Sequence, residues 1–83
     1  MGHRDVTGVS PRYATLLEMS DTLLCCGLDP VRFKVNDVRM VKAGQITVQV
    51  HHAYSLIVLI DGHKPFRTRS VVEAQKFIMG VFL

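Results

Sequence analysis

The chain has 83 residues, of which 48% are hydrophobic and 20% are charged. This length corresponds to one domain, whose core is too small for an elaborate enclosed active site. No apolar run approaches the roughly 20 residues that cross a bilayer, so we expect no membrane segment. The high apolar content has two open explanations: a well-filled core, or a face buried against a partner or a second copy.

The net charge of +3 is distributed unevenly along the chain. Residues 1–30 carry two basic and four acidic side chains, whereas residues 31–83 carry eight basic and three acidic ones. The predicted strands are therefore basic and the first predicted helix is acidic. This asymmetry makes nucleic acid a candidate partner.

The two cysteines are neighbours in the sequence, Cys25 and Cys26. Adjacent cysteines rarely pair with each other, because the ring that they would close is strained. The chain therefore has no disulfide framework, and its first residues lack the apolar segment of a secretory signal. We expect a cytoplasmic protein.

Residues 1–9 are polar and contain glycine, which predicts a flexible N-terminal arm ahead of a single domain over residues 10–83. Ser10 and Pro11 predict a helix start, and Gly27 predicts a left-handed helix end. We expect a helix over 11–26. Its apolar stripe comprises Leu16, Met19, Leu23 and Cys26. The side predicted to face away from the core comprises Thr15, Glu18 and Thr22.

Alternating residues predict the first strands of a sheet. In residues 31–35, Val31, Phe33 and Val35 alternate with polar side chains, and we expect these three to face the helices. Asn36-Asp37 is open to two interpretations, a two-residue hairpin turn or a bulge inside one long strand. A clean half-buried strand follows over residues 46–50.

The stretch from residue 54 to residue 78 predicts the rest of the domain. Residues 54–60 are apolar on both faces, which suits an interior strand, and Asp61-Gly62 forms a turn. Residues 64–69 return as an edge strand, since Pro65 is tolerated there. Ser70 and Glu73 form a capping box ahead of a helix over about 70–82.

These elements predict a two-layer α+β domain. The expected order is a helix, an antiparallel meander of three to five strands, and a second helix, with both helices packed on one face of the sheet. The two alternatives for Asn36-Asp37 decide between four strands and five.

The polar face of the sheet is a candidate nucleic-acid-binding surface. Basic and amide side chains on strands can contact phosphates and base edges. The candidate residues are Arg32, Lys34, Arg39, Gln49, His51, Lys64, Arg67 and Arg69. The alternative explanation is a solvated sheet face, which needs such residues for solubility.

The C-terminal helix is a candidate protein interface. It is apolar nearly all round, and such a helix is buried on more than one side. The candidate interface residues are Val72, Met79, Phe82 and Leu83. The alternative is that the first helix covers this extra face.

Metal binding and catalysis have weak support in the sequence. His51 and His52 are adjacent strand residues and point to opposite faces, and no zinc-type spacing of cysteines or histidines occurs. Ser55 and Ser70 have sufficient structural roles, and no glycine-rich phosphate loop is present. We expect no catalytic residues, metal, cofactor or small-molecule substrate.

Taken together, these features favour a small non-enzymatic binding protein of regulatory or inhibitory type, in the style of the accessory proteins of phages and mobile elements. We expect it to bind a protein partner, a second copy of itself, or both. The alternative function is a nucleic-acid-binding domain that uses the basic face of its sheet.

Overall fold

A computed structural model describes residues 11–51 and 55–82. The predicted arm over residues 1–9, the predicted cap Ser10 and the candidate residue Leu83 lie outside these ranges. The described chain forms two helices and five strands. They are α1 (Pro11–Cys25), β1 (Val31–Val35), β2 (Val38–Ala43), β3 (Ile46–Val50), β4 (Leu56–Ile60), β5 (Phe66–Thr68) and α2 (Val71–Phe82).

The strands form one antiparallel sheet in the order β1-β2-β3-β4-β5. Each strand pairs with its neighbours in the chain, so the sheet is a meander with β1 and β5 at its edges. Helix α1 packs mainly on β2 and β3, helix α2 packs on β4 and β5, and the two helices contact each other. The predicted α+β class and element order are confirmed.

Helix α1 ends in a Schellman motif. Gly27 has φ +81°, and the Leu28 N–H donates to the Leu23 carbonyl at 3.0 Å. The Gly27 N–H donates to the Leu24 carbonyl at 2.9 Å. The helix therefore ends at Cys25, one residue before the predicted end.

Asn36 and Asp37 form a two-residue hairpin turn, which decides between the two alternatives left open by the sequence. Their φ values are +49° and +67°, and the residues on either side, Val35 and Val38, pair directly. Positive φ at both central positions matches the right-handed twist of the strands that the turn joins. The sheet therefore has five strands.

This turn fixes which face each β1 side chain occupies. Val41 is buried beneath the helices, and its partner across the hairpin is Arg32. Phe33 pairs with Met40, which lies on the face away from the helices. The prediction that Val31, Phe33 and Val35 face the helices is therefore wrong, because paired residues share a face and alternate along each strand.

The core lies between the helices and the middle of the sheet. Helix α1 contributes the predicted Leu16, Met19 and Leu23, and α2 contributes Ala74 and Ile78. The strand residues that complete the core are Val41, Ala43, Ile46, Val48, Val50, Leu56, Val58 and Ile60. Burial of this apolar surface drives the helices onto the sheet.

The contact between the helices contains a polar link. Thr22 is buried, donates to the Glu18 carbonyl at 2.9 Å and accepts from Nε2 of Gln75 at 3.1 Å. Thr15 is buried as well. The prediction that Thr15 and Thr22 face away from the core is wrong, because α2 lies beside α1 and covers that side.

The start of α2 uses half of the predicted capping box. Oγ of Ser70 accepts from the Glu73 N–H at 3.2 Å, as the box requires. The Ser70 N–H donates to Oγ1 of Thr68 at 3.0 Å. In a full capping box, this N–H would donate to the Glu73 side chain instead. The Glu73 carboxylate lies instead 3.9 Å from Nζ of Lys76.

A pair of glycine substitutions tests this account of the helices. Gly27→Ala should lower the free energy of unfolding by about 1 kcal/mol, because a Cβ is strained at φ +81° although no atom lies within 4 Å. Gly80→Ala should raise the free energy of unfolding by about 0.5–1 kcal/mol, since Gly80 is an exposed helical residue with the same open surroundings. Urea unfolding at one protein concentration measures both, and a shift of the same sign in both variants would contradict the assignment.

Candidate interaction surfaces

The face of the sheet that points away from the helices, called here the outer face, is largely apolar. Its middle row runs across all five strands as Phe33, Met40, Gln49, Ile57 and Arg67. The row on one side contains Val31, Lys42, Thr47 and Leu59, and the row on the other side begins with Val35 and Val38.

Several apolar side chains of the outer face are strongly exposed. Val31 is 61% exposed, Phe33 is 40% exposed and Val35 is 45% exposed. Within residues 11–51 and 55–82 both helices lie on the opposite face, so no described element covers these side chains. An antiparallel sheet with one solvated face normally carries polar residues there. A contiguous apolar face instead marks an interaction surface.

The charged residues of the outer face are few and of one sign. Its strand positions carry Lys42 and Arg67 and no carboxylate. Nε2 of His51 lies 2.8 Å from Oε1 of Gln49, which places the imidazole beside the same face. The outer face is therefore most apolar on β1 and β2, where Lys42 is charged, and its other polar side chains lie on β3 and β5.

The predicted nucleic-acid-binding residues do not form one surface. Gln49, His51 and Arg67 belong to the outer face, whereas the register places the other strand candidates on the helix side of the sheet. Those on the helix side are Arg32, Lys34 and Arg39. Lys64 and Arg69 are exposed on either side of β5. The predicted common face is wrong, because it assumed the opposite orientation of β1, and nucleic-acid binding stays a prediction.

The three basic residues on the helix side surround Tyr13 of α1. Nη1 of Arg32 donates to the Tyr13 hydroxyl at 3.2 Å. The guanidinium carbons of Arg32 and Arg39 lie 5.9 Å and 5.3 Å from the centre of the Tyr13 ring. Both distances are within the range of cation–π attraction. Lys34 pairs with Arg39 directly across the hairpin.

These side chains line an open cleft between α1 and the β1–β2 hairpin, called here the basic cleft. It has a volume of about 350 Å³, and its lining residues are Tyr13, Leu16, Arg32, Phe33, Lys34 and Arg39. Arg12 holds α1 in place above the cleft, because Nη1 of Arg12 donates to the carbonyl of Asp37 at 3.0 Å and to the carbonyl of His51 at 2.6 Å.

Sequence reasoning missed both the apolar outer face and the basic cleft. The available signal was the Asn36-Asp37 pair, because a two-residue turn pairs Lys34 with Arg39 and Phe33 with Met40. Choosing the turn over the bulge would have placed the cations of β1 and β2 together. It would also have placed their apolar residues together on the opposite face.

The α2 candidate interface is interrupted by a lysine, although Val81 is exposed there as well. Val72 is 56% exposed and Met79 is 37% exposed, but they are seven residues apart and Lys76 lies on the same side between them. Phe82 is half-buried against the core. Helix α1 packs beside α2 and covers part of its apolar surface, as the alternative explanation required.

Other kinds of site have little basis in the described residues. Residues 11–51 and 55–82 contain no group of three or more histidine, cysteine, aspartate or glutamate side chains placed to hold a metal ion. Among the helices of the same residues, none is long and apolar enough to cross a membrane.

Comparisons with protein-family models, with curated proteins and with solved structures found no match. The two surfaces themselves are therefore the basis for a functional proposal.

The facing cations of the hairpin give a stability prediction. Lys34→Glu should raise the free energy of unfolding by roughly 0.5–1 kcal/mol, because it replaces two like charges directly opposite each other with an attractive pair. Lys34→Gln should give about half of that gain. Lys64→Glu is the matched control, since it makes the same charge change in the exposed loop after β4. Urea unfolding that shows equal effects of Lys34→Glu and Lys64→Glu would contradict the pairing.

Proposed function

We propose that the protein is a small, non-enzymatic protein-binding module that works as a homodimer through the outer face of its sheet. The observation that supports this proposal is the exposed apolar patch that β1 and β2 form on the outer face. Its members are Val31, Phe33, Val35, Val38 and Met40, and Ile57 and Leu59 of β4 lie beyond the polar outer residues of β3. A regulatory or inhibitory role suits such a module, because a binding protein can regulate or inhibit its partner by covering a surface of that partner.

The size of the outer face is adequate for a weak dimer. Five strands about 4.8 Å apart, each of about five residues rising about 3.3 Å, give a flat area of roughly 400 Å² per copy. Projecting side chains make the accessible area larger than this flat area. Two copies therefore approach the roughly 1,200 Å² at which specific interfaces begin. The expected affinity is micromolar rather than nanomolar.

The distribution of side chains supports packing between two identical faces. A two-fold axis in the plane of the sheet and across its strands would place the apolar β1–β2 half of one copy on the same half of the other. Phe33 lies in the middle row, close to this axis. Arg67 lies at the β5 end of the same row, so the Arg67 side chains of the two copies would lie near each other at the solvated margin of the contact. Sheets that pack face to face in this way keep their strands within about 30° of each other.

Pairing through the free edge of β1 is disfavoured by charge. All five β1 residues are exposed, so the edge is accessible. An antiparallel β1–β1 contact would place Arg32 and Lys34 of one copy against the same residues of the other, and like charges opposed across strands are destabilising. Charged residues on an edge strand are a known protection against such pairing. Face-to-face packing avoids this repulsion.

The cysteines support a cytoplasmic location as part of the proposal. Cys25 is exposed, Cys26 is half-buried, and both are free thiols. Free, accessible thiols persist in a reducing compartment.

Phe33→Asp tests the homodimer. The substitution should weaken dimerisation at least about 30-fold, because it removes a central aromatic contact and buries a carboxylate without a partner. The fold should be retained, since Phe33 is 40% exposed on an edge strand and does not belong to the core. Light scattering over a concentration series measures the mass, and circular dichroism confirms that the fold is intact.

Val72→Asp is the matched control, because it places the same charge on α2 at a site that is 56% exposed. The Val72→Asp variant should stay dimeric, and Val35→Asp should behave like Phe33→Asp. A wild-type protein that is monomeric at several hundred micromolar would overturn the proposal. So would a dimer that Val72→Asp dissociates and Phe33→Asp leaves intact, since that result would assign the interface to α2.

A further inference from the structure

The geometry of the basic cleft points to a second binding site, one for a phosphate-class dianion. The cleft lies on the helix side of the sheet, so this inference does not rest on the proposed dimer. Its volume of about 350 Å³ is enclosed by α1 on one side and by the β1–β2 hairpin on the other. This space equals that of about twelve water molecules at roughly 30 Å³ each, which is ample for one tetrahedral oxyanion.

Three positive charges converge on this cleft. Lys34 is the direct cross-strand partner of Arg39, and Arg32 lies two residues from Lys34 on the same face of β1. Side chains at such positions are about 5 Å apart at Cβ when directly paired and within reach of each other when diagonal. Both guanidiniums also lie over one ring, that of Tyr13. The arrangement gathers like charges that would repel one another in the absence of a counter-charge.

No described carboxylate lies within 4 Å of the three cations of the basic cleft. Within residues 11–51 and 55–82, the ion pair between Lys76 and Glu73 is the one carboxylate contact within 4 Å of a basic side chain. Nε of Arg39 is buried and has no hydrogen-bond acceptor. Leaving a buried donor of a charged group unpaired is costly, so a bound acceptor at this position would stabilise the domain.

The chemistry of the donors favours phosphate over a carboxylate. A guanidinium presents two parallel N–H groups that match two oxygens of one phosphate, and an ammonium supplies a further point charge. Two guanidiniums and one ammonium can therefore contact several oxygens of a tetrahedral anion at once. A dianion also offsets more of the three positive charges than a single carboxylate does. Tyr13 contributes the aromatic floor on which Arg32 and Arg39 rest.

Arg12 is a positioning residue for this site. Its Nη1 joins the first turn of α1 to the carbonyl of Asp37 in the hairpin turn and to the carbonyl of His51 after β3. These contacts fix the distance between α1 and the hairpin. They therefore hold Tyr13 against the cations of β1 and β2.

Titration of the full chain with inorganic phosphate, with sodium chloride adjusted to keep the ionic strength constant, tests the inference. Phosphate should raise the melting temperature beyond the effect of chloride and should shift the Nε–Hε resonance of Arg39 in a saturable way. Arg39→Gln and Lys34→Gln should each weaken phosphate binding at least about tenfold, the effect of losing one charge-assisted contact. Lys34 is exposed, so Lys34→Gln keeps the test valid if Arg39→Gln fails to fold.

Arg67→Gln is the matched control, because it removes one positive charge from the outer face and should leave phosphate binding unchanged. Three results would overturn the inference. One is a phosphate effect no larger than that of chloride at the same ionic strength. Another is an equal loss of binding in Arg67→Gln and Lys34→Gln, which would indicate non-specific attraction to a basic protein. The third is equal stabilisation by acetate, which would show that the cleft does not select a dianion.

Discussion

The two-residue turn at Asn36 and Asp37 is the constraint on which the arrangement of both surfaces depends. Both residues have positive φ, and no residue separates the turn from the paired positions Val35 and Val38. The turn therefore leaves the hairpin a single register. Because Val41 of β2 is buried under α1, this register determines the face of every β1 side chain. A shift of one residue would exchange the two faces of β1.

The width of the helix layer explains why β1 carries both surfaces. Two helices packed side by side, 8–10 Å apart, span about 20 Å, which corresponds to about four strands at a spacing of about 4.8 Å. The sheet has five strands, and the helices lie mainly over β2 to β5. The cations of β1 consequently extend past α1 and form a cleft with Tyr13. Its apolar residues extend the opposite face, which no described element covers.

The sequence predicted the features that depend on short stretches of chain. Gly27 ends α1 because its backbone adopts the left-handed conformation that the chain requires there, and Ser70 caps α2 through its own hydroxyl. Apolar residues on both faces of β4 placed it correctly inside the sheet. The Glu73 half of the capping box was predicted wrongly, because Thr68, two residues before the cap, takes the Ser70 N–H. Thr68 and Glu73 are alternative acceptors for this N–H, and the path of the β5–α2 connection decides which of them is in reach.

The sequence by itself determined the helix, meander, helix order, the ends of both helices to within about one residue and the apolar stripe of α1, because helix caps and periodicity act over a few residues. The tertiary structure alone decided the direction in which β1 faces. In β1 the alternation of valine and phenylalanine with arginine and lysine is equally compatible with either face. The choice comes from the pairing with β2 and from the position of α1, which are contacts between distant parts of the chain. For that reason the basic residues expected on one open sheet face are divided between the basic cleft and the outer face.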